Sequence, residues 1–367
     1  MAGRRSNPAH ITIVDVARKS GFSTSTVSIV LNDAPLARYV AASTKETIRK
    51  TAAALGYRPD ALARSLRRRR SQTIGIMVFD LSDPFCTLIL RGIEQTVFPS
   101  PYLPILMDAH NQRKQFERYL EMLLELRVEG LIVVANWLFA EFDLLGNIRK
   151  NNIPTVGVGR DLTSSGFRSV QVDNEAGGYA AIEHLYRLGH RKIGVIRGPE
   201  ALGDSERRWQ GIQRFAREAG LELHPSRVAQ LPSAIDPTSG FDGGLQLTTA
   251  MIESKLSFTA LVAFDDLTAF GAIRALVQSG RSVPDDCSVI GFDDVPAAST
   301  SSPALTTVQQ PMEEMGRLAA TWTLEALQPG DETDPVSSDL HLLQPTVVER
   351  GSTARRKAPS GSKKLSP

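Results

Sequence analysis

The chain has 367 residues, 42% of them hydrophobic, with 42 Lys and Arg against 40 Asp and Glu. That length and composition exclude a disordered or fibrous chain and a single small core, and fit two or three globular domains. No apolar run is long enough to span a bilayer, and no apolar segment follows Arg4 and Arg5, so neither a transmembrane helix nor a secretory signal is predicted.

The near-neutral total hides an asymmetry. Residues 1–70 carry 14 Lys and Arg against 4 Asp and Glu, and the remainder carries 28 against 36. A basic head on an acidic body is expected where only the head meets phosphates. Two widely separated cysteines, Cys86 and Cys287, fit a reducing cytoplasm better than a disulfide framework.

Residues 1–10 read as a flexible N-terminus. Three helices are then predicted at about 13–20, 23–31 and 43–55. Ile13, Val16 and Ala17 recur at helical spacing, as do Val27, Val30 and Leu31. Gly21 lies between these sets, where a left-handed turn suits a residue without Cβ. Ser23 is placed to cap the second helix. Ser43 or Thr44 is the expected cap of the third, with Glu46 as capping-box partner, and Gly56 with Pro59 ends it. Two short helices joined by a tight turn make the helix-turn-helix pattern, whose second helix enters the DNA major groove. Asp60 to Leu66 reads as a short helix, followed by the four-arginine run Arg67–Arg70.

From Thr73 the texture alternates between strands and helices. Strands are predicted at 74–79, 103–107, 131–135, 155–158, 169–172, 193–196, 260–264 and 288–291, and helices at 112–126, 175–188, 206–219, 239–252 and 267–279. Such alternation means parallel sheet covered by helices on both faces. The strands are too many for one comfortable open sheet. Two doubly wound lobes with a cleft between them follow, and such folds bind ligands at the carboxyl ends of their strands.

These blocks resemble the LacI/GalR family of bacterial transcriptional regulators, from about Ile11 to Arg350. The resemblance is carried by Asp15-Val-Ala17, Gly21, Ser23, Thr26-Val-Ser28 and Leu31-Asn32, and by the linker Leu55-Gly-Tyr-Arg-Pro-Asp-Ala-Leu-Ala-Arg-Ser-Leu66. It continues through Val172-Asp-Asn174, His184-Leu-Tyr-Arg-Leu-Gly-His-Arg-Lys-Ile-Gly194, Gly198-Pro199 and Phe264-Asp-Asp-Leu-Thr-Ala-Phe-Gly271. Val289-Ile-Gly-Phe-Asp-Asp294 and Pro303-Ala-Leu-Thr-Thr-Val-Gln-Gln-Pro311 complete it.

The resemblance implies an N-terminal all-α helix-turn-helix head (11–58), a hinge helix and linker (59–72) and an α/β periplasmic-binding-protein-like core of two doubly wound lobes (73–350). The first lobe is expected at about 73–172 and 304–335, the second at about 173–303 and 336–350, with a disordered tail over 351–367. It implies a homodimer on a near-palindromic double-stranded DNA operator. Thr24, Ser25 and Ile29 match positions that face base edges, and Thr12, Ser23, Thr26 and Ser28 match positions near phosphates. Asn32, Tyr57 and Ala63 complete the implied DNA-binding set. Leu66 matches the hinge leucine that wedges into the central base step from the minor groove. Position 29 is commonly polar or basic in the family; an isoleucine there can only touch a thymine methyl, so an operator departing from the common consensus is expected. Asp60 stands where asparagine is common.

Positions lining the family's effector cleft map onto Phe85, Arg160, Arg208, Asp265, Asp266, Asp293 and Gln310. Carboxylates that accept from adjacent hydroxyls, with arginines as fixed donors, suit a polyol, and Phe85 or Trp209 can stack on a sugar ring. Ile235 stands where some sugar-responsive members carry an aromatic. Leu202 and Asp204 depart from the pattern of the family's purine repressors, so a saccharide or sugar phosphate is expected over a purine.

No phosphate-binding loop, nucleophile elbow, His-Glu-x-x-His or paired zinc cysteines occur in the sequence. An enzyme, a cofactor and a metal are therefore not expected, and His184 and His190 read as structural. Two alternatives remain: DNA binding controlled by a phosphoprotein partner, and a ligand-binding protein without a regulatory role. With Leu365 alone in the tail, no C-terminal helical bundle is expected.

Overall fold

The computed structural model describes residues 11–58, 70–134, 148–200, 202–232, 239–255, 257–328 and 339–356. It divides into two compact units at Ser71 and Gln72.

The first unit holds three helices: α1 (Ile13–Ser20), α2 (Thr24–Leu31) and α3 (Ala42–Leu55). Thr12 caps α1 in a capping box. Its backbone N–H donates to the Asp15 carboxylate at 2.9 Å while its hydroxyl accepts from the Asp15 N–H, which satisfies donors that helix geometry leaves open. Gly21 closes α1 at φ 75°, a conformation that favours glycine. Ser23 caps α2, its Oγ accepting from the Thr26 N–H at 3.1 Å. The third helix departs from expectation: Ala41, with no side-chain bond, stands at the cap, so neither Ser43 nor Thr44 caps it. Val16, Ala17, Val27, Val30, Ile48 and Ala52 make the core of this unit.

The second unit contains two six-stranded sheets. Its described strands are β1 (Thr73–Val78), β2 (Leu103–Asp108), β3 (Gly130–Val134), β4 (Thr155–Val158), β5 (Arg168–Val172), β6 (Ile193–Arg197), β7 (Val228–Gln230), β8 (Ala260–Val262), β9 (Ser288–Asp293), β10 (Thr306–Gln309), β11 (Leu340–Leu343) and β12 (Thr346–Val348). Its helices are α4 (Pro84–Val97), α5 (Arg113–Glu125), α6 (Asn174–Arg187), α7 (Gly203–Glu218), α8 (Ser239–Glu253), α9 (Asp266–Gln278), α10 (Pro296–Thr300) and α11 (Met312–Ala326). The first sheet runs β11-β5-β4-β3-β1-β2 and the second β12-β10-β9-β8-β6-β7. All pairs are parallel except β10 with β12.

The central strands of each sheet are buried on both faces. In β1, Ile74, Ile76 and Val78 join the core under α4 and α11, while Met77 and the following Phe79 join the core under α5, the two-residue alternation of a strand. In the second sheet Val195 faces the α6–α7 core and Ile196 the α8–α9 core. Facing helices touch backbone to backbone through glycines. A Cβ on Gly178 would stand 2.0 Å from the Arg208 carbonyl oxygen, and one on Gly211 1.9 Å from that of Glu175, so α6 and α7 approach more closely than any side chain allows.

The lobe boundaries differ from those expected. β10 pairs with β9 in the second sheet, whereas residues 304–309 were assigned to the first lobe. β11 pairs with β5 in the first sheet, whereas 340–343 were assigned to the second. The chain thus passes between lobes three times, at 173, at 310–311 and at 344–345. The tail also begins later than 351. Ser352 is fully buried; its Oγ donates to the Val289 carbonyl at 2.6 Å and accepts from the Thr306 N–H at 2.8 Å. His184 bonds Thr353 and His190 bonds the Ala354 carbonyl, so both histidines hold this strap. Burial is the main cause lowering the pKa of each.

Candidate functional site

Two regions carry functional chemistry, one in each unit. In the head, α2 has no charged residue. Thr24 and Ser25 are exposed at its start, and Ser28 and Ile29 are half-exposed one turn on. Ile29 is half-buried and stays outside the head's core, whereas Leu31 packs against it. Thr12 and Ser23 are spent partly as caps, and the Ser23 hydroxyl also lies 2.8 Å from that of Thr26. Asn32 turns back on its own helix, its Nδ2 donating to the Ser28 carbonyl at 2.8 Å. Tyr57 packs partly on the head's core. Ala63 and Leu66, the hinge positions, lie outside the described residues, as do Asp60, Arg67 and Ile235.

In the core, the candidate cleft residues follow the carboxyl ends of parallel strands, where open α/β sheets bind ligands. Phe85 follows β1, Arg160 β4, Asp265 β8 and Gln310 β10, while Asp293 ends β9. Three of the expected residues meet directly. The Arg208 Nη2 lies 3.7 Å from Asp293 Oδ1, and Gln310 Nε2 donates to that same oxygen at 2.6 Å. The remaining Arg208 donors are engaged: Nε bonds Asn174 Oδ1 at 2.9 Å and Nη1 the Phe264 carbonyl at 2.6 Å. The guanidinium carbon also lies 3.5 Å from the ring centre of Phe292, a cation–π contact. Asn174 Nδ2 continues the network to Asp204 at 3.1 Å. The glycine contact between α6 and α7 brings Asn174 and Arg208 together.

Burial raises the pKa of Asp293 well above the carboxylate range, and the Arg208 charge opposes it. Its backbone is strained at φ 117°, a cost that concentrates at functional sites. Burial also raises Asp204, against the pull of Arg208, Arg207 and Arg160. Arg160 is half-buried, and burial is the main cause lowering its pKa. Two residues that sequence reasoning missed as site members, Asn174 and Asp204, are therefore central to the network. Both stand in or beside quoted blocks, but nothing in a linear sequence links them.

A third missed residue is Asp83. It caps α4 by accepting from the Phe85 N–H at 3.0 Å. Burial pushes its pKa up to about 6, the Phe85 bond opposes this, and the charges of Asp265 and Asp80 add to it. Asp83 belongs to the first lobe and Asp265 to the second, so like charges face each other between lobes. Asp265 itself caps α9, accepting from the Thr268 N–H at 2.7 Å. Phe85 is half-buried and packs against the first lobe's core. Trp209 packs on the second lobe's core, with Arg197 5.0 Å from its ring centre.

Asp266 is a correction. It is fully buried, with Oδ1 accepting from the Thr307 hydroxyl at 2.5 Å and Oδ2 from the Val295 N–H at 2.9 Å. Both oxygens are spent tying α9 to β10 and to the segment after β9, so it is not a cleft ligand. Burial raises its pKa to about 7 against those two bonds. Asp80, Asp108 and His110 each bring one potential metal-ligand atom within 4.8 Å of the others. Their oxygens accept from Ser82, Asn111 and the His110 N–H.

A helix-turn-helix head joined to a two-lobed core with polar groups at the strand ends defines a DNA-binding transcription regulator with a ligand-binding body. Comparison with known proteins agrees. Residues 12–60 match the model of bacterial regulatory proteins of the lacI family, and residues 182–353 match a periplasmic binding protein-like domain. The HTH-type transcriptional repressor PurR of Photorhabdus laumondii is 35% identical over 343 residues, covering 93% of this chain and 96% of that protein. The crystal structure of the lac repressor dimer bound to operator and the anti-inducer ONPF superposes with TM-score 0.80 at 26% identity, covering 94% of this chain and 99% of that one. A complex of the transcriptional regulator CelR with cellobiose gives TM-score 0.66 at 27% identity, covering 93% and 99%. The chain belongs to the LacI family.

Proposed function

We propose that the protein is a cytoplasmic, sequence-specific repressor that binds a near-palindromic operator as a homodimer and is controlled by a polyhydroxylated effector in the cleft of the core. The observation that carries the effector reading is the Arg208–Asp293–Gln310 group at the strand ends, where Arg208 Nη2 and Gln310 Nε2 converge on Asp293 Oδ1. Carboxylates that accept and guanidinium groups that donate match the vicinal hydroxyls of a saccharide. The likeness to a cellobiose-bound regulator supports the same class. Phe85 offers its ring beside Asp83.

On DNA, Thr24, Ser25 and Ile29 read bases, and Thr12, Ser23, Thr26, Ser28, Asn32 and Tyr57 hold the backbone side. Ala63 and Leu66 act in the hinge at the operator centre. An effector that binds the closed arrangement of the lobes more tightly shifts operator affinity by that difference and no more.

The test is operator selection from a random DNA pool with purified protein, with and without a panel of sugars. The expected result is a palindrome whose recovery changes with one sugar. A palindrome that no sugar affects removes the saccharide reading, and the same selection with Ile29→Arg returning an unchanged palindrome removes Ile29 as a reader.

A further inference from the structure

Where β9 ends, two successive residues other than glycine carry positive φ, Asp293 at 117° and Asp294 at 60°. Side chains on several elements hold the turn there. Both oxygens of the Asp294 carboxylate are occupied: Oδ1 accepts from Arg350 Nη2 at 2.6 Å and Oδ2 from Gln309 Nε2 at 2.7 Å. The ion pair is largely out of water, with the Arg350 and Asp294 side chains 18% and 11% exposed. Arg350 is itself fixed, its Nη1 donating to the Leu305 carbonyl at 2.8 Å and its backbone N–H to the Thr306 hydroxyl at 2.9 Å. One residue on, the Val295 N–H is held by Asp266. Two successive glutamines thus grip two successive aspartates: Gln309 holds Asp294, and Gln310 holds Asp293.

We propose that Asp294 and Arg350 are positioning residues of the effector site: their ion pair holds the strained turn that aims the Asp293 carboxylate at the ligand, although neither residue touches it. The inference rests on the effector reading above. A residue with a Cβ keeps a backbone such as that of Asp293 only where its surroundings over-determine it. Arg208 and Gln310 both address the one oxygen, Oδ1, so they steady the carboxylate without fixing the backbone behind it. Asp294 supplies that second anchor. The Arg350 guanidinium is a rigid fork, with one nitrogen on the Asp294 carboxylate and the other on the Leu305 carbonyl, a pairing that an ammonium group does not reproduce. Because Gln309 and Gln310 stand where the chain passes between the lobes, the same clamp ties the aim of Asp293 to that passage.

The experiment uses the full-length protein and the variants Asp294→Gly, Arg350→Lys and Leu276→Ala. Glycine is at ease at φ 60°, so Asp294→Gly removes the clamp without straining the turn. Leu276 is fully buried in the α8–α9 core, so its truncation lowers the melting temperature of the same lobe and serves as the control for stability alone. Two quantities are read: titration of the Asp293 carboxyl by NMR of carboxyl-labelled aspartate, assigned with Asp293→Asn, and binding of cellobiose, glucose and ribose by calorimetry. Burial is the main cause holding the Asp293 carboxyl high. In Asp294→Gly the carboxylate is expected to swing toward water and titrate nearer the ordinary carboxylate range. The sugar that the parent binds is held roughly tenfold to a hundredfold more weakly, the size of one lost hydrogen bond to a charged group. Arg350→Lys falls between this variant and the parent, and Leu276→Ala matches the parent in both quantities. A titration unchanged or moved upward in Asp294→Gly overturns the inference, as does equal sugar affinity in parent and variant, or the same changes in Leu276→Ala. A parent that binds none of the three sugars counts against the saccharide reading, while the Asp293 titration still decides the positioning role.

Discussion

The two lobes share a strand order but not an interior. In the first, the cores under α4, α5 and α11 are apolar, and the polar groups buried beside them, such as Thr155 and Ser169, are neutral. The second buries ionisable side chains: Arg208, Asp266, His184 and His190. Both fasten their helices by the same glycine device, since a Cβ on Gly92 or Gly316 of the first lobe would also stand 2.0 or 2.1 Å from a carbonyl oxygen. One topology thus serves two purposes. The first lobe is a platform held by area removed from water, while the second is a frame that fixes ionisable groups in place through costly, hydrogen-bonded burial.

That contrast can be broken most forcefully at the glycines. Gly211→Ala and Gly316→Ala are each expected to destabilise the core by about 3 kcal/mol or more, because backbone must yield rather than a side chain. Only the change in the second lobe, at Gly211, displaces Arg208 from Asn174, so only it also weakens effector binding. Thermal unfolding combined with sugar titration separates the two, and equal loss of sugar binding in both variants would erase the distinction. Next in size is Arg208→Met, which leaves the Asn174 Oδ1 without its donor and removes the charge opposite Asp293. The expected loss is about 3 kcal/mol, read from chemical denaturation.

The buried carboxyl gives a subtler test. Asp266 has a folded pKa of about 7, above its unfolded value of about 3.9. Its contribution is therefore fully present below pH 4 and is lost as pH rises through 7. Stability of the core should decline over that window by at most about 1.4 kcal/mol per pH unit from this group, and Asp266→Asn should flatten the decline. A parallel profile in the variant would assign the pH response elsewhere. The smallest effect lies outside both lobes. Ser23→Ala should cost the head about 1 kcal/mol through its lost cap, leaving the unfolding of the core unchanged in calorimetry.

Local signals made the head legible. Gly21, Ser23 and Gly56 act on chain neighbours within a few residues, so their turns and caps could be placed from sequence. Where a side chain had to choose between equivalent neighbours, sequence reasoning failed. Asp265 and Asp266 are adjacent and chemically identical, yet one caps α9 from outside the helix and the other, one residue on, points into the lobe. The strands β10, β11 and β12 are three or four residues long, too short for a periodic pattern, and they decide the lobe boundaries. By contrast, α4 was readable and overlooked: Cys86, Ile89, Ile93 and Val97 recur at helical spacing after Asp83-Pro84, a cap followed by a first-turn proline. Asn174, Asp204 and Arg208 become neighbours only because two glycines let α6 and α7 touch.

The three passages of chain between the lobes lie side by side. The Asp173 N–H donates to the Leu343 carbonyl at 2.8 Å, Gln344 reaches the Asp173 carboxylate at 3.3 Å, and Thr346 pairs with Gln309. Mechanically, three tethers in a row make a door hinge: sliding and twisting are resisted by every tether at once, while swinging about their common line strains none of them much. Gln310 sits on that line and holds Asp293, so the hinge pin itself carries part of the latch.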